Sequence, residues 1–87
     1  MNVDSRLDIQ KTAHVLKLLG EKTRLTMMKP LQSNECCVCE LTTLFDMSQP
    51  AISQHLRKMK DAGILQETRR GQWIFYSMNP DSEYSAL

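Results

Sequence analysis

The chain has 87 residues, of which 41% are hydrophobic and 24% charged, and its formal net charge at pH 7 is +1. These ordinary values predict one folded domain over residues 1–87, and they exclude a disordered chain and a coiled coil. No apolar run is long enough to span a membrane, and the N-terminus lacks the apolar core of a signal peptide. We therefore predict a cytoplasmic protein that has no membrane partner.

The first predicted helix covers Ser5–Leu19 and is apolar on two faces. A helical wheel centred on Leu16 assigns one stripe to the core of the chain, namely Ile9, Thr12, Ala13, Leu16 and Leu19. The opposite side carries Leu7, Val15 and Leu18, and we predict that these three residues contact a second subunit. A second helix is predicted from Lys22 to about Leu31, and Pro30 is expected to end it early or kink it.

A short helix, a turn and a longer helix follow, and two strands complete the pattern. The helices are predicted over Val38–Phe45 and Gln49–Ala62, and the strands over Ile64–Arg70 and Gln72–Met78, with a hairpin turn at Arg70–Gly71. This order predicts an α+β, mostly α fold, a winged helix-turn-helix with about four helices and a two-stranded β-hairpin wing. A generic small α+β domain is the alternative.

The fourth helix has a polar face that is suited to reading DNA. Between Met47 and Met78 five basic residues stand against two acidic ones, which is the local excess expected at a DNA surface. A merely solvated polar face and wing turn are the alternative interpretation, and His55 could equally be a half-buried histidine with one hydrogen bond. The predicted DNA-binding residues are Ser48, Gln49, Ser53, Gln54, His55, Arg57 and Lys58 on the helix, and Arg69, Arg70 and Gln72 on the wing.

Three cysteines, Cys36, Cys37 and Cys39, lie within four positions where the third helix should begin. An odd, crowded set of thiols in a cytoplasmic chain indicates a site for a soft ion rather than a disulfide framework. In a helix Cys36 and Cys39 share a face, whereas in an extended segment Cys37 and Cys39 do. If Cys37 and Cys39 bind one ion, we expect the start of the helix to unwind, which would lower DNA affinity.

Three other interpretations of the thiols remain open at this point. They could be incidental, they could sense oxidation in a DNA-binding protein, or they could form a metal-binding module that never touches DNA. An enzyme is not expected, because the chain shows no acid–base pair, no glycine-rich phosphate loop and no activated serine.

The segment Glu35–Leu41 resembles the cysteine box of the ArsR/SmtB family of metal-sensing bacterial repressors. Ser48–Leu56 resembles the recognition helix of that family, and Gly71–Tyr76 resembles its wing strand. The resemblance implies a homodimeric transcriptional repressor that binds a palindromic operator near a resistance operon without a cofactor and leaves the operator when an inducer binds. It places Cys37 and Cys39 at the two ligand positions of the box.

Three departures from the family pattern bear on the third ligand, the inducing ion and the C-terminal helix. A third cysteine that follows the box in some arsenic sensors is Thr42 here, so Cys36 is the candidate third ligand. The cadmium and lead sensors use N-terminal cysteines that this chain lacks. As(III) or Sb(III) is therefore the expected inducer, ahead of cadmium, lead or zinc. We also expect the C-terminal dimerisation helix of the family to be short or missing.

Overall fold

The computed structural model describes residues 9–81, and these form four helices and three strands. The elements are α1 (Ile9–Leu19), α2 (Lys22–Ser33), β1 (Cys36–Cys37), α3 (Val38–Phe45), α4 (Gln49–Asp61), β2 (Leu65–Arg70) and β3 (Trp73–Met78). The predicted fold class is confirmed, because helices predominate and β2 and β3 form the hairpin wing. Within residues 9–81 no helix is long and apolar enough to cross a bilayer.

The predicted faces of α1 are wrong for most of their residues, although Leu19 of the predicted core stripe does pack against the core. Val15 is 1% exposed and Leu18 is 9% exposed, so both are buried within this chain, whereas Leu16 and Ile9 are more than half exposed. Val15 and Leu18 are therefore not available to a second subunit, and Leu7 lies outside the described residues. A helix with apolar residues on two sides gives no signal for which side packs inward. Here α1 packs against α2, and Val15 belongs to the hydrophobic core.

The helix α2 continues past Pro30 to Ser33, so the expected early end at this proline is wrong. Proline removes one backbone donor from a helix, which is a cost that tertiary packing can offset. Met27 and Leu31, on either side of the proline, are at most 2% exposed and belong to the hydrophobic core. Burial of these two side chains holds both halves of the helix against the rest of the domain.

The sheet has a third strand that sequence reasoning missed. The two cysteines of β1 pair antiparallel with β3, so that Cys36 lies opposite Tyr76 and Cys37 opposite Phe75. The strand order is β1–β3–β2, which puts the wing strand β3 in the centre. The cysteine box is thus hydrogen-bonded to the wing on one side and continues into α3 on the other.

The predicted buried face of α4 is confirmed, since Ile52, Leu56 and Met59 are fully buried. The helix begins as predicted at Gln49, where the Ser48 hydroxyl accepts a hydrogen bond from the Ala51 N–H at 3.3 Å. The same core receives side chains from α2, α3, the sheet and the residue before β2, namely Met27, Leu31, Leu41, Ile64, Leu65 and Tyr76. This core holds α4 rigidly and leaves its opposite side in solvent.

Gly63 ends α4 with a positive φ of 82°, and its N–H donates to the Lys60 carbonyl at 2.9 Å. A Cβ at this position would have open space around it, so only the left-handed backbone opposes a side chain. We predict that Gly63→Ala lowers the free energy of unfolding by about 1 kcal/mol in urea denaturation. Gly63→Asn is the matched control and should lose less, because asparagine tolerates this conformation; equal losses would contradict the explanation.

Candidate nucleic-acid interface and cysteine pair

Cys37 and Cys39 come together across the junction between β1 and α3. Cys37 is the extended N-cap residue of α3, with φ −87° and ψ 163°, and Cys39 is the second residue of the helix. Their Cα atoms are 5.5 Å apart and a disulfide joins them. The helix is intact from Val38 onwards, so the two sulfur atoms meet without the unwinding that we expected, because only Cys39 belongs to the helix.

Cys36 faces away from this pair. Its thiol donates to the carbonyls of Asn34, at 3.5 Å, and Pro30, at 3.8 Å, and its side chain is part of the hydrophobic core. Burial, with a smaller effect from the negative charge of Glu40, raises the pKa of the Cys36 thiol. Alternation along β1 explains the separation, since neighbouring residues of a strand point to opposite faces. The structure therefore does not bring Cys36 to the other two cysteines.

Glu40 fixes the start of α3 beside the pair. Its carboxylate accepts a hydrogen bond from the Cys37 N–H at 3.1 Å, which is one half of a capping box. No cluster of three or more His, Cys, Asp or Glu side chains suited to a metal ion occurs between Ile9 and Asp81. The chain thus offers a two-sulfur site at a well-defined helix start.

The cysteine pair opens onto a hollow of about 420 Å³ between α3, α4 and the wing. Four of the predicted DNA-binding residues line this hollow, namely Gln49, Ser53, Arg57 and Gln72. Its remaining walls are Cys37, Val38, Cys39, Lys60, Glu67, Trp73, Ile74 and Tyr76. Two of the three predicted soft-ion ligands, Cys37 and Cys39, thus share one concave surface with part of the predicted DNA face, and we call this surface the shared hollow.

Lys60 and Trp73 were not among the predicted site residues. Lys60 follows Ser53 and Arg57 at helical spacing, so the wheel of α4 could have included it. Its ammonium lies 3.9 Å from the Glu67 carboxylate. Trp73, which is 53% exposed, reaches the hollow through the pairing of β1 with β3, and no local sequence signal reports that pairing.

The other predicted DNA-binding residues lie outside the shared hollow. Gln54, Lys58 and Arg69 are exposed, and the Ser48 hydroxyl caps α4. Arg70 lies over the Phe75 ring, with its guanidinium carbon 5.2 Å from the ring centroid, and forms an ion pair with Glu35. These positions neither establish nor remove a DNA contact, so that assignment stays a prediction.

His55 is half-buried and connects α4 to α2. Its Nδ1 lies 3.2 Å from the Arg24 guanidinium, and the Nε of Arg24 donates to the Leu18 carbonyl at 2.6 Å. Burial lowers the pKa of His55; the nearby Glu21 carboxylate opposes this shift, while the charges of Arg24 and Lys58 add to it. This geometry matches the interpretation of His55 as a half-buried histidine, and it gives Arg24 a positioning role that the sequence did not reveal.

Tyr76 forms part of the floor of the shared hollow. Its hydroxyl donates to the Glu67 carboxylate at 2.9 Å. Burial, the hydrogen bond to Glu67 and the charge of Glu67 raise the pKa of Tyr76 to about 12, against a smaller opposing effect of Arg57. Tyr76 therefore remains a neutral donor at any physiological pH.

The raised pKa of Tyr76 predicts a loss of stability in alkali. The folded-state pKa of Tyr76 lies above the unfolded value of 10.0. The protonated hydroxyl therefore contributes its full stabilisation below pH 10, and this stabilisation disappears as the pH rises towards about 12. We expect the free energy of unfolding to fall by on the order of 2 kcal/mol across this interval from this group. Urea denaturation at several pH values measures the fall, and Tyr76→Phe should flatten it; an identical pH profile in that variant would contradict the assignment.

A capped helix with an exposed polar face, preceded by a short helix and a turn and followed by a β-hairpin, defines a winged helix-turn-helix protein. The sequence profile of the arsR family of bacterial regulatory proteins matches residues 21–67, which is more than half of the chain. The chain therefore belongs to the arsR family.

Several relatives carry names from arsenic resistance. The arsenic resistance transcriptional regulator ArsR1 of Pseudomonas putida is 44% identical over 77% of this chain and 53% of its own length. The arsenical resistance operon repressor of Escherichia coli K12 is 39% identical over 76% of this chain and 57% of its own length. The chain thus spans little more than half the length of these two relatives.

Solved structures agree with the fold. HlyU from Vibrio cholerae superimposes with a TM-score of 0.77 at 30% identity, covering 83% of this chain and 78% of its own. A structure described as a possible transcriptional regulator for arsenical resistance gives a TM-score of 0.73 at 34% identity, over 77% of this chain and 70% of its own.

Proposed function

We propose that this chain is a transcriptional repressor that binds operator DNA as a homodimer and leaves it when As(III) or Sb(III) binds Cys37 and Cys39. One observation carries the proposal: the two sulfur atoms meet on the same concave surface as Gln49, Ser53 and Arg57 of α4. The names of the relatives supply the inducer class, and the shared hollow supplies a reason for inducer and DNA to oppose each other.

The DNA surface in this proposal is the exposed side of α4 together with the wing. Amide and hydroxyl groups near the start of the helix can bond to base edges, while Arg57 and Lys60 can neutralise phosphates. The helix dipole of α4 adds partial positive charge at its N-terminus, which favours a phosphate. Such contacts require no catalytic group, and we propose no enzymatic activity.

The inducer chemistry follows from the thiols. Trivalent arsenic and antimony are soft and bind thiolates, so a pair of sulfur atoms already brought together needs little reorganisation. Cadmium, lead and zinc usually take three or four protein ligands, and residues 9–81 offer no cluster of three His, Cys, Asp or Glu side chains. The metalloids are therefore the proposed inducers, and these three metals rank below them.

The homodimer is assigned to the exposed face of α1 and α2, because Val15 and Leu18 are committed to the core. Ile9, Leu16 and Leu25 are each at least 55% exposed. Apolar side chains grouped in this way are typical of a subunit contact, and a symmetric dimer matches a palindromic operator. We place the repressor in the cytoplasm, where its operator would be.

A gel-shift titration of the reduced protein on its own upstream promoter tests the proposal. The protein should bind, the affinity should fall steeply with salt, and arsenite or antimonite should release the DNA at lower concentrations than cadmium or zinc. Absence of sequence-specific binding would remove the repressor function. Binding that arsenite leaves unchanged would remove the inducer and leave the repressor function in place.

A redox-sensing repressor is the second candidate, and the disulfide between Cys37 and Cys39 favours it. Oxidation would then control DNA binding through the same two sulfur atoms. Peroxide would release DNA and dithiothreitol would restore binding without any ion. The gel shift separates the two candidates, because metalloid release requires reduced thiols whereas this mechanism requires an oxidant.

A further inference from the structure

We propose that the shared hollow is a binding site for the organic group of a monosubstituted trivalent arsenical, R–As(OH)₂, and that such compounds bind more tightly than arsenite. The inference rests on the proposed function, because it assumes that Cys37 and Cys39 bind arsenic. It adds the substrate class: a compound whose arsenic is held by two sulfur atoms while its carbon substituent occupies the hollow.

The first argument is the number of sulfur atoms. Trivalent arsenic forms three covalent bonds, and only two cysteines meet at the surface of the hollow. The Cys36 thiol donates to two backbone carbonyls on the other side of β1. Moving its sulfur to the hollow would require β1 to rotate, which would break the pairing of β1 with β3. With arsenite the third position therefore keeps a hydroxyl, whereas with an organic arsenical a carbon takes it.

The second argument is the space next to the sulfur atoms. The hollow measures about 420 Å³. A hydroxyl fills little of it, since the share of one water molecule in the liquid is about 30 Å³. Half of the residues that line the hollow are apolar, aromatic or sulfur-containing, namely Cys37, Val38, Cys39, Trp73, Ile74 and Tyr76. The indole of Trp73, which is half exposed, gives an aromatic substituent a surface to stack on that a hydroxyl cannot use.

The binding step is balanced and transfers no electrons to arsenic. Two thiols replace two hydroxyls, so that two As–S bonds form, two As–O bonds break, and each thiol proton leaves in a water molecule. Arsenic stays trivalent throughout. The disulfide must first be reduced, and a water-soluble phosphine can do this by taking up the oxygen of one water molecule as the two thiols form.

Competition against dithiothreitol isolates the contribution of the hollow. Dithiothreitol also binds arsenic through two sulfur atoms. The equilibrium constant for moving an arsenical from dithiothreitol to the protein therefore compares two complexes with the same number of As–S bonds. Differences in this constant between arsenicals report the contacts that the protein makes to the third substituent. Phosphine-reduced protein is titrated with phenylarsonous acid, methylarsonous acid and arsenite, and native mass spectrometry measures the adducts. We expect the phenyl compound to exceed arsenite by roughly tenfold, the worth of one aromatic contact with its buried area.

The variant Trp73→Ala tests the site itself, and Leu44→Ala is the matched control. Both side chains are more than half exposed, but Leu44 lies on α3 outside the hollow. Trp73→Ala should lower phenyl binding about fivefold to tenfold while methyl binding changes little, and Leu44→Ala should change neither. Equal exchange constants for the three arsenicals, or an unchanged phenyl preference in Trp73→Ala, would overturn the inference.

Two further readouts keep the outcome interpretable. Trp73 is the single tryptophan of the chain, so in the unsubstituted protein the phenyl compound should change its fluorescence, and Cys39→Ser should abolish that change. An adduct at Cys37 and Cys39 without any fluorescence change would overturn the inference and leave the proposed function intact. Absence of an adduct with all three arsenicals, arsenite included, would overturn both.

Discussion

Replacing either Cys37 or Cys39 with serine should abolish release by arsenite while DNA affinity stays within about twofold of the unsubstituted protein. When arsenic is bound to one cysteine, the second thiol is present at an effective concentration in the millimolar range or above, which strengthens binding. A variant with one thiol loses this chelate effect and binds arsenic much more weakly. The operator contacts proposed for α4 and the wing do not use either sulfur atom. A gel shift of the reduced variants, with arsenite added in steps, measures both effects.

Cys36→Ser is the matched control for these two variants. Cys36 is buried and bonded to the carbonyls of Asn34 and Pro30, so serine there should reduce stability modestly and leave induction unchanged. Loss of induction in folded Cys36→Ser would make it the third ligand and would show that β1 rearranges when arsenic binds. Normal induction in Cys37→Ser or Cys39→Ser would move the inducer site away from the pair.

The helix-turn-helix could be predicted closely because its signals are local. Ser48 as the N-cap and the spacing of Ile52, Leu56 and Met59 fix the start and the buried face of α4. The prediction of Val38–Phe45 as the third helix is confirmed for the same reason. Helical periodicity and capping depend only on residues within a few turns of each other, so both can be recognised in a single sequence without knowledge of distant contacts.

The wing sheet and the faces of α1 depend on partners that are distant in sequence. The pairing of Cys36 with Tyr76 joins residues forty positions apart, and a strand of two residues has no periodicity of its own. Likewise, α1 has apolar residues on two sides, and only its packing against the rest of the domain, α2 included, determines that Val15 and Leu18 are buried. These long-range choices also determine that the cysteine pair opens onto the hollow beside Arg57.

Arg57 is the position where we expect the largest loss of DNA affinity. Its side chain is exposed, lines the shared hollow and has no ion-pair partner among the salt bridges found within residues 9–81. A charged hydrogen bond to a phosphate contributes about 1.5–3 kcal/mol, and a symmetric dimer has two such contacts. Arg57→Ala should therefore weaken operator binding by at least about a hundredfold at moderate salt.

The salt dependence distinguishes a phosphate contact from a general loss of structure. Each phosphate contact removed should lower the slope of log affinity against log salt by about 0.9, hence by about 2 in the dimer. Lys17→Ala is the control, because it removes one exposed positive charge from α1, outside the hollow, and should leave both affinity and slope almost unchanged. A weaker Arg57→Ala complex with the original slope would mean that Arg57 supports α4 without reaching the DNA backbone. Because Arg57 and the cysteine pair line one hollow, arsenic bound there would then act on α4 itself rather than on a phosphate contact.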